Sequence, residues 1–145
     1  MTTRDPLAPR PPNTEWSWRD DMIDHINLPV GNVRRSAAFY LSVLAPLGYA
    51  LIRDFGDDAA GLGIRDYAIL GLERVTGVIR PLHVAFPAPD HAIVRSCYQA
   101  ALDAGARDNG APGPRPQYHQ HYFAGFFLDP DGHNVEIVCH DQGDA

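Results

Sequence analysis

A repeat spanning half the chain constrains this sequence more than anything else in it. LHVAFPAPD, from Leu82, echoes DHINLPVGN, from Asp24. His25 pairs with His83, Pro29 with Pro87, Asn32 with Asp90, Tyr40 with Tyr98 and Leu44 with Leu102, each 58 positions apart. Such a spacing predicts one supersecondary unit built twice, so that residues distant in sequence converge where the units meet. Two of the paired positions are histidines in short apolar stretches, where a bare imidazole needs a partner.

Each unit reads as strand, helix, then three strands. Residues 23–29 predict a first strand. Asn32 caps a helix whose apolar side carries Val33, Ala37, Tyr40, Leu41 and Leu44, ended by Pro46 and Gly48. Strands follow over 49–55, 62–64 and 67–72. In the second unit 82–86 is a strand, and Asp90 caps a helix carrying Ile93, Val94, Cys97, Ala101 and Leu102 that stops at Gly105. Residues 108–117 hold three prolines and two glycines and predict a loop. Strands over 122–128 and 133–139 are joined by Asp129-Pro130-Asp131-Gly132, in which both aspartates read as turn-formers. The domain expected is 22–140, with modules of about 22–80 and 81–140, preceded by a Pro-rich extension over 1–21 and followed by a short tail at 141–145. Trp16 and Trp18 leave two readings of the extension open: a solvated tail, or one pinned by its indoles.

A net charge of −6 with no Lys/Arg run argues against nucleic acid or an anionic membrane as partner. No apolar stretch reaches the roughly 20 residues needed to span a bilayer, and no secretory signal is visible at the N-terminus. Cys97 and Cys139 both fall at apolar-periodic positions, which predicts buried free thiols and fits a reducing cytoplasm.

Side chains alternate along a strand. In the first strand Ile26 and Leu28 face the helix, and His25 and Asn27 face away. In 82–86, Leu82, Val84 and Phe86 point one way and His83 the other. In the last strand Val135, Ile137 and Cys139 oppose Asn134, Glu136 and Val138. Three strands thus each present one potential ligand on the face away from the helices. If one sheet carries all three, a divalent metal would satisfy two imidazoles and a carboxylate together.

The segments DHINLPVGNVRRSAAFY, PLHVAFPAPDHAIV and GFFLDPDGHNVEIV resemble the vicinal oxygen chelate superfamily, which includes glyoxalase I, extradiol dioxygenases, fosfomycin-resistance transferases, methylmalonyl-CoA epimerase and bleomycin-resistance proteins. The resemblance covers about residues 22–140. It implies an α+β fold of paired βαβββ modules forming a curled mixed sheet with the helices outside. It also implies a metal held by His25, His83 and Glu136, a small oxygenated substrate chelated by that ion, and a homodimer. The ion would be Fe, Mn, Zn or Ni, since the ligand set suits all four. Glyoxalase I adds a fourth ligand, a Glu late in the first module; Tyr67–Leu70 offers no carboxylate there, and Glu73 lies just beyond. Extradiol dioxygenases carry a Tyr ten residues before the ligand Glu, where this chain has Phe126. The second reading is a metal-free drug-binding protein of the bleomycin-resistance type, motivated by the acidic charge and by Tyr118, Tyr122, Phe123 and Phe127.

The remaining candidates cluster after the Pro/Gly loop. His121 and Tyr122 are expected as general acid/base groups. Arg115 is expected to clamp an anionic group, and Tyr118 and Phe127 to line the substrate site. His119 and His121 form an H-x-H pair, a second possible metal site. His91, His133 and His140 are expected on the surface, as are Arg34 and Arg35 on the first helix.

Overall fold

A computed structural model describes residues 23–140. The Pro-rich extension, both readings of Trp16 and Trp18, and the 141–145 tail lie outside the described residues. The element order is β1 (Ile26–Val30), α1 (Val33–Val43), a 3-10 turn (Ala45–Leu47), β2 (Ala50–Asp54), β3 (Ala59–Ile64), β4 (Tyr67–Arg74), β5 (His83–Pro87), α2 (His91–Asp103), β6 (Arg107–Pro114), β7 (Phe123–Leu128) and β8 (Asn134–Cys139). This is βαβββ twice, an α+β fold, as the repeat requires. Both capping positions act as the pattern predicts. Asn32 accepts from the Arg35 backbone N–H at 3.0 Å, and Asp90 from that of Ile93 at 2.8 Å.

Each module closes its own four-stranded mixed sheet, ordered β1-β4-β3-β2 and β5-β8-β7-β6. The opening strand of each runs parallel to the closing one and the rest are antiparallel. Backbone pairing does not join the two sheets among the described residues; α1 and α2 pack together instead, and one apolar core runs through both modules. Phe39 on α1 meets Phe127 on β7 edge-on at 6.2 Å between centroids, and Tyr49 meets Phe86 at 5.7 Å.

Residues 107–114 form a strand where proline and glycine predicted a loop. β6 is the outer strand of its sheet, where a missing N–H is tolerated on the solvent side. Its pairing with β7 slips between Asp108 and Gly110 and again between Gly110 and Gly113, which absorbs the prolines as bulges.

The Asp129–Gly132 turn does more than reverse the chain. Tyr40, fully buried on α1, donates to Asp129 Oδ2 at 2.5 Å, and Asp129 Oδ1 accepts the backbone N–H groups of Asp131 and His133, both at 2.9 Å. Asp131 Oδ1 accepts from the Gly31 backbone N–H at 3.0 Å and from Arg35 at 3.1 Å; its other oxygen accepts from Ser36 at 3.3 Å. The turn of the second module is therefore clasped onto the start of the first module's helix. Burial, and then Asp129, push the Tyr40 hydroxyl far above the tyrosine range, so it remains a donor.

His133 belongs to the same clasp. It was expected on the surface and is completely buried. Its Nδ1 accepts from the Leu82 backbone N–H at 2.9 Å, and its Nε2 faces the Pro29 carbonyl at 2.7 Å. One neutral tautomer meets both bonds, which is why a buried imidazole is tolerated here. His91 and His140 also depart from expectation. His91 stacks on Phe123 at 3.8 Å and His140 on His119 at 4.9 Å, so each is partly covered by a ring. Arg35 is drawn into the clasp, and Arg34 pairs with exposed Asp57 at 2.5 Å.

Both cysteines are buried, and Cys97 is a free thiol. Burial pushes the Cys97 thiol from about 9 up to about 12. A raised folded-state value contributes stability that is present below the ordinary value and lost as pH climbs towards the folded one. Each such group removes about 1.4 kcal/mol per pH unit within that window. Denaturant unfolding between about pH 9 and 10.5 should therefore fall less steeply for Cys97→Ala than for the parent, by about 1–2 kcal/mol over the interval. Parallel curves would show that this thiol does not couple to folding.

Candidate functional site

On the second sheet the face turned from the helices gathers several polar groups. β8 places Glu136 directly opposite Phe126 on β7, and β5 opens with His83 beside Asn134. Glu136 is only 3% exposed. His83 Nε2 stands 3.0 Å from its Oε1, and the Tyr122 hydroxyl donates to its Oε2. Both carboxylate oxygens are thus engaged, which offsets the cost of burying the charge. Burial first, then the bond to Glu136, raise Tyr122 well above the tyrosine range, with a small opposing effect from Arg115. Tyr122 can therefore hold and donate a proton at its oxygen, but it is not a base near neutrality.

Around this core the Phe126 ring has two cationic or polar neighbours. The His83 ring stacks near it with centroids 6.3 Å apart, and the Arg115 guanidinium stands 5.4 Å from the centroid. Asn109 donates to Asn134 at 3.1 Å along the same face. Tyr118, mostly exposed, packs on Tyr122 at 4.9 Å. His119 Nε2 meets His140 Nδ1 at 2.7 Å, and both rings meet the Tyr122 ring edge-on at 5.2 Å. His119 Nδ1 accepts the His121 backbone N–H at 3.2 Å, so His121 enters through its main chain.

His25 lies elsewhere. It precedes β1 on the other sheet, is 56% exposed at its side chain, and pairs through Nδ1 with Asp24 at 2.8 Å. It borders a cleft of about 610 Å³ with a floor of Ala60, Gly61, Ala68 and Gly71 and a charged rim including Arg53 and Glu73. The large cleft and the His83–Glu136 pair are thus on different sheets. Among the described residues of one chain, no three His, Cys, Asp or Glu side chains converge to hold an ion.

The sequence-predicted residues accordingly divide. His83, Glu136, Tyr122, Tyr118 and Arg115 come together; His25 does not join them within one chain. Phe127 is a correction: it is fully buried against Phe39, because its parity on β7 points it at the helices. Phe126, one position earlier, takes the open face. Strand alternation from Glu136 and its partner could have found Phe126. His133, Asp129 and the His119–His140 pair carried no local signal, since each depends on a contact across the modules or from a turn to a strand end.

A family model for the glyoxalase/bleomycin resistance protein/dioxygenase superfamily matches residues 22–137. The chain belongs to that superfamily. No curated protein matches the chain in sequence. Solved structures of the superfamily share its fold. A glyoxalase/bleomycin resistance protein from Albidiferax ferrireducens is 19% identical with a TM-score of 0.70, covering 82% of this chain and 99% of the other. A glyoxalase I variant from Zea mays is 29% identical with a TM-score of 0.61; the match covers 80% of this chain but 46% of that longer one. The oxidase ChaP-H2 is 23% identical with a TM-score of 0.60, covering 82% and 93%. The matched superfamily names both lyase-type and oxygenase chemistries as well as binding proteins, so membership alone selects no reaction.

For the divalent ion implied by the superfamily resemblance, one chain fits in part. A buried carboxylate oxygen and an imidazole nitrogen 3.0 Å apart form a suitable O,N donor pair. The third donor of the expected set, His25, is held on the other sheet.

Proposed function

We propose that the protein is a metal-dependent enzyme acting on a small oxygenated substrate, working as a homodimer. Two donors would come from His83 and Glu136 of one subunit and the third from His25 of the partner subunit. The reading rests on Glu136. A carboxylate 3% exposed, on a face turned from the helices and flanked by an imidazole, keeps its full negative charge beside its two hydrogen-bond partners, and a cation is the ligand that charge suits. The clasp supports the shared site, because it fixes the modules helix to helix and leaves both ligand-bearing faces turned outward. A divalent ion held there would supply Lewis-acid chemistry, or redox chemistry were it iron.

This chain's own residues do the rest. Tyr122 orients Glu136 through its hydroxyl, which stays protonated and acts as a hydrogen-bond donor to that carboxylate. His83 presents Nε2 towards the same carboxylate, and Phe126 walls the site beside it. A metal analysis of protein purified without chelator tests the reading. Substoichiometric metal that reconstitution fails to raise would end it.

A mixing experiment tests the shared site. His25→Ala and His83→Ala homodimers should each be inactive, whereas subunits exchanged between them should recover roughly a quarter of parental activity, since half the dimers regain one intact site of two. No recovery, with exchange verified by mass, would place all the ligands within one chain.

One observation favours a second reading. Both Glu136 oxygens already have protein partners, so the face is self-consistent as a metal-free binding cup. Binding of a drug-like ligand would then survive EDTA and His83→Ala.

A further inference from the structure

Arg115 is built into its place rather than left on the surface. Two of the five guanidinium N–H donors are taken by the chain's own loop: Nη2 donates to the Ala111 carbonyl at 2.8 Å and Nη1 to that of Pro114 at 3.3 Å. Its backbone N–H also donates to the Tyr122 carbonyl at 2.7 Å, tying the loop to the residue that touches Glu136. The space it fills is reserved by two glycines. A Cβ at Gly110 would stand 3.4 Å from Nη2 and 3.2 Å from the Phe126 ring, and one at Gly113 would stand 3.2 Å from Nη1. Among the described residues no carboxylate pairs with this guanidinium, although the chain is acidic overall. A half-buried cation, oriented by its own main chain and with three donors unmet among the described residues, suits an anionic group.

We infer that the second sheet's outer face takes a substrate with a carboxylate on Arg115, joined through an apolar or aromatic part to the oxygens that face His83 and Glu136, and that Gly110 and Gly113 are the positions that set this specificity. The middle part follows from the order of groups. His83 opens β5 and Arg115 follows β6, the two edge strands of this sheet, and both stand against the Phe126 ring on β7, so a molecule reaching from one to the other passes along a phenyl ring. A hydrated or charged linker would lose its water there without replacement. The substrate class deepens the proposed function and rests on its placing of the site on this face.

Benzoate is the probe, used on EDTA-treated full-length protein so that binding is read without metal. Titration followed by NMR, including the arginine side-chain Nε–H signals, should show benzoate shifting the Arg115 resonance. Benzamide, its neutral isostere, and benzylamine, its cationic counterpart, should bind about tenfold or more weakly. Arg115→Gln should weaken benzoate by the same factor, and Arg115→Lys should keep measurable binding, which separates loss of charge from loss of loop structure. Gly113→Ala, which crowds the guanidinium without removing it, should also weaken benzoate while leaving the amide spectrum otherwise intact. Benzoate binding unchanged in Arg115→Gln, equal binding of the three probes, or no binding by the parent would overturn the inference. Metal content, measured on untreated protein, reports on the metal reading separately.

Discussion

Asp129→Ala is expected to lower the unfolding free energy by about 3–5 kcal/mol in urea denaturation. The carboxylate receives three donors at once: the buried Tyr40 hydroxyl and the backbone N–H groups of Asp131 and His133. Alanine offers none of them an acceptor, and an orphaned buried donor costs about 1–3 kcal/mol. Tyr40→Phe, which removes one donor and leaves two partners on the carboxylate, should cost only about 1–2 kcal/mol. The two losses should not be additive, because the substitutions share one bond. A loss below about 1 kcal/mol for Asp129→Ala would mean that helix packing alone, not the clasp, holds the modules together.

Glu136→Gln is expected to abolish ion retention and to reduce kcat/KM by about 1,000-fold, with the fold intact. The amide keeps the shape and can still meet Tyr122 and His83, but it brings no charge to an ion. The pairing of readouts matters. Loss of metal and turnover together, with an unchanged melting temperature, is the outcome expected of a ligand. A protein that instead gains stability, retains its ligand and never carried metal would fit the metal-free cup, since replacing a buried charge by a neutral isostere removes a desolvation cost.

Much of the molecule was legible without coordinates. The repeat predicted two βαβββ units, and the paired caps Asn32 and Asp90 located both helices. Both are local signals, written in residue type and spacing. The failure at β6 has the opposite character: proline and glycine describe what a segment cannot do in the middle of a sheet, whereas 107–114 lies at an edge. Edge position is decided by which strands pair. The same limit explains Phe127. Sequence marked Phe127 as a substrate-lining ring and passed over Phe126, and only strand parity set against Phe39 sorted the core ring from the open one.

The candidate site divides along the same line. His83 and Glu136 were visible because alternation puts each on a definable face, and Tyr122 because it falls in the polar cluster after the Pro/Gly loop; the parallel pairing of β5 with β8 does bring the first two together. His133 was not visible. Its tautomer, its burial and its role in tying Leu82 to Pro29 all come from contacts across more than fifty residues. Amino-acid order alone therefore decided the modules, their capped helices and which side chains could act as ligands, since periodicity is a property of neighbours along the chain. Tertiary structure alone decided that His25 stands on a different sheet from His83 and Glu136. That follows from strand pairing, since each module closes its own sheet, and a buried clasp of Asp129, Tyr40 and His133 then docks the two by hydrogen bonds that exist only once the halves have met.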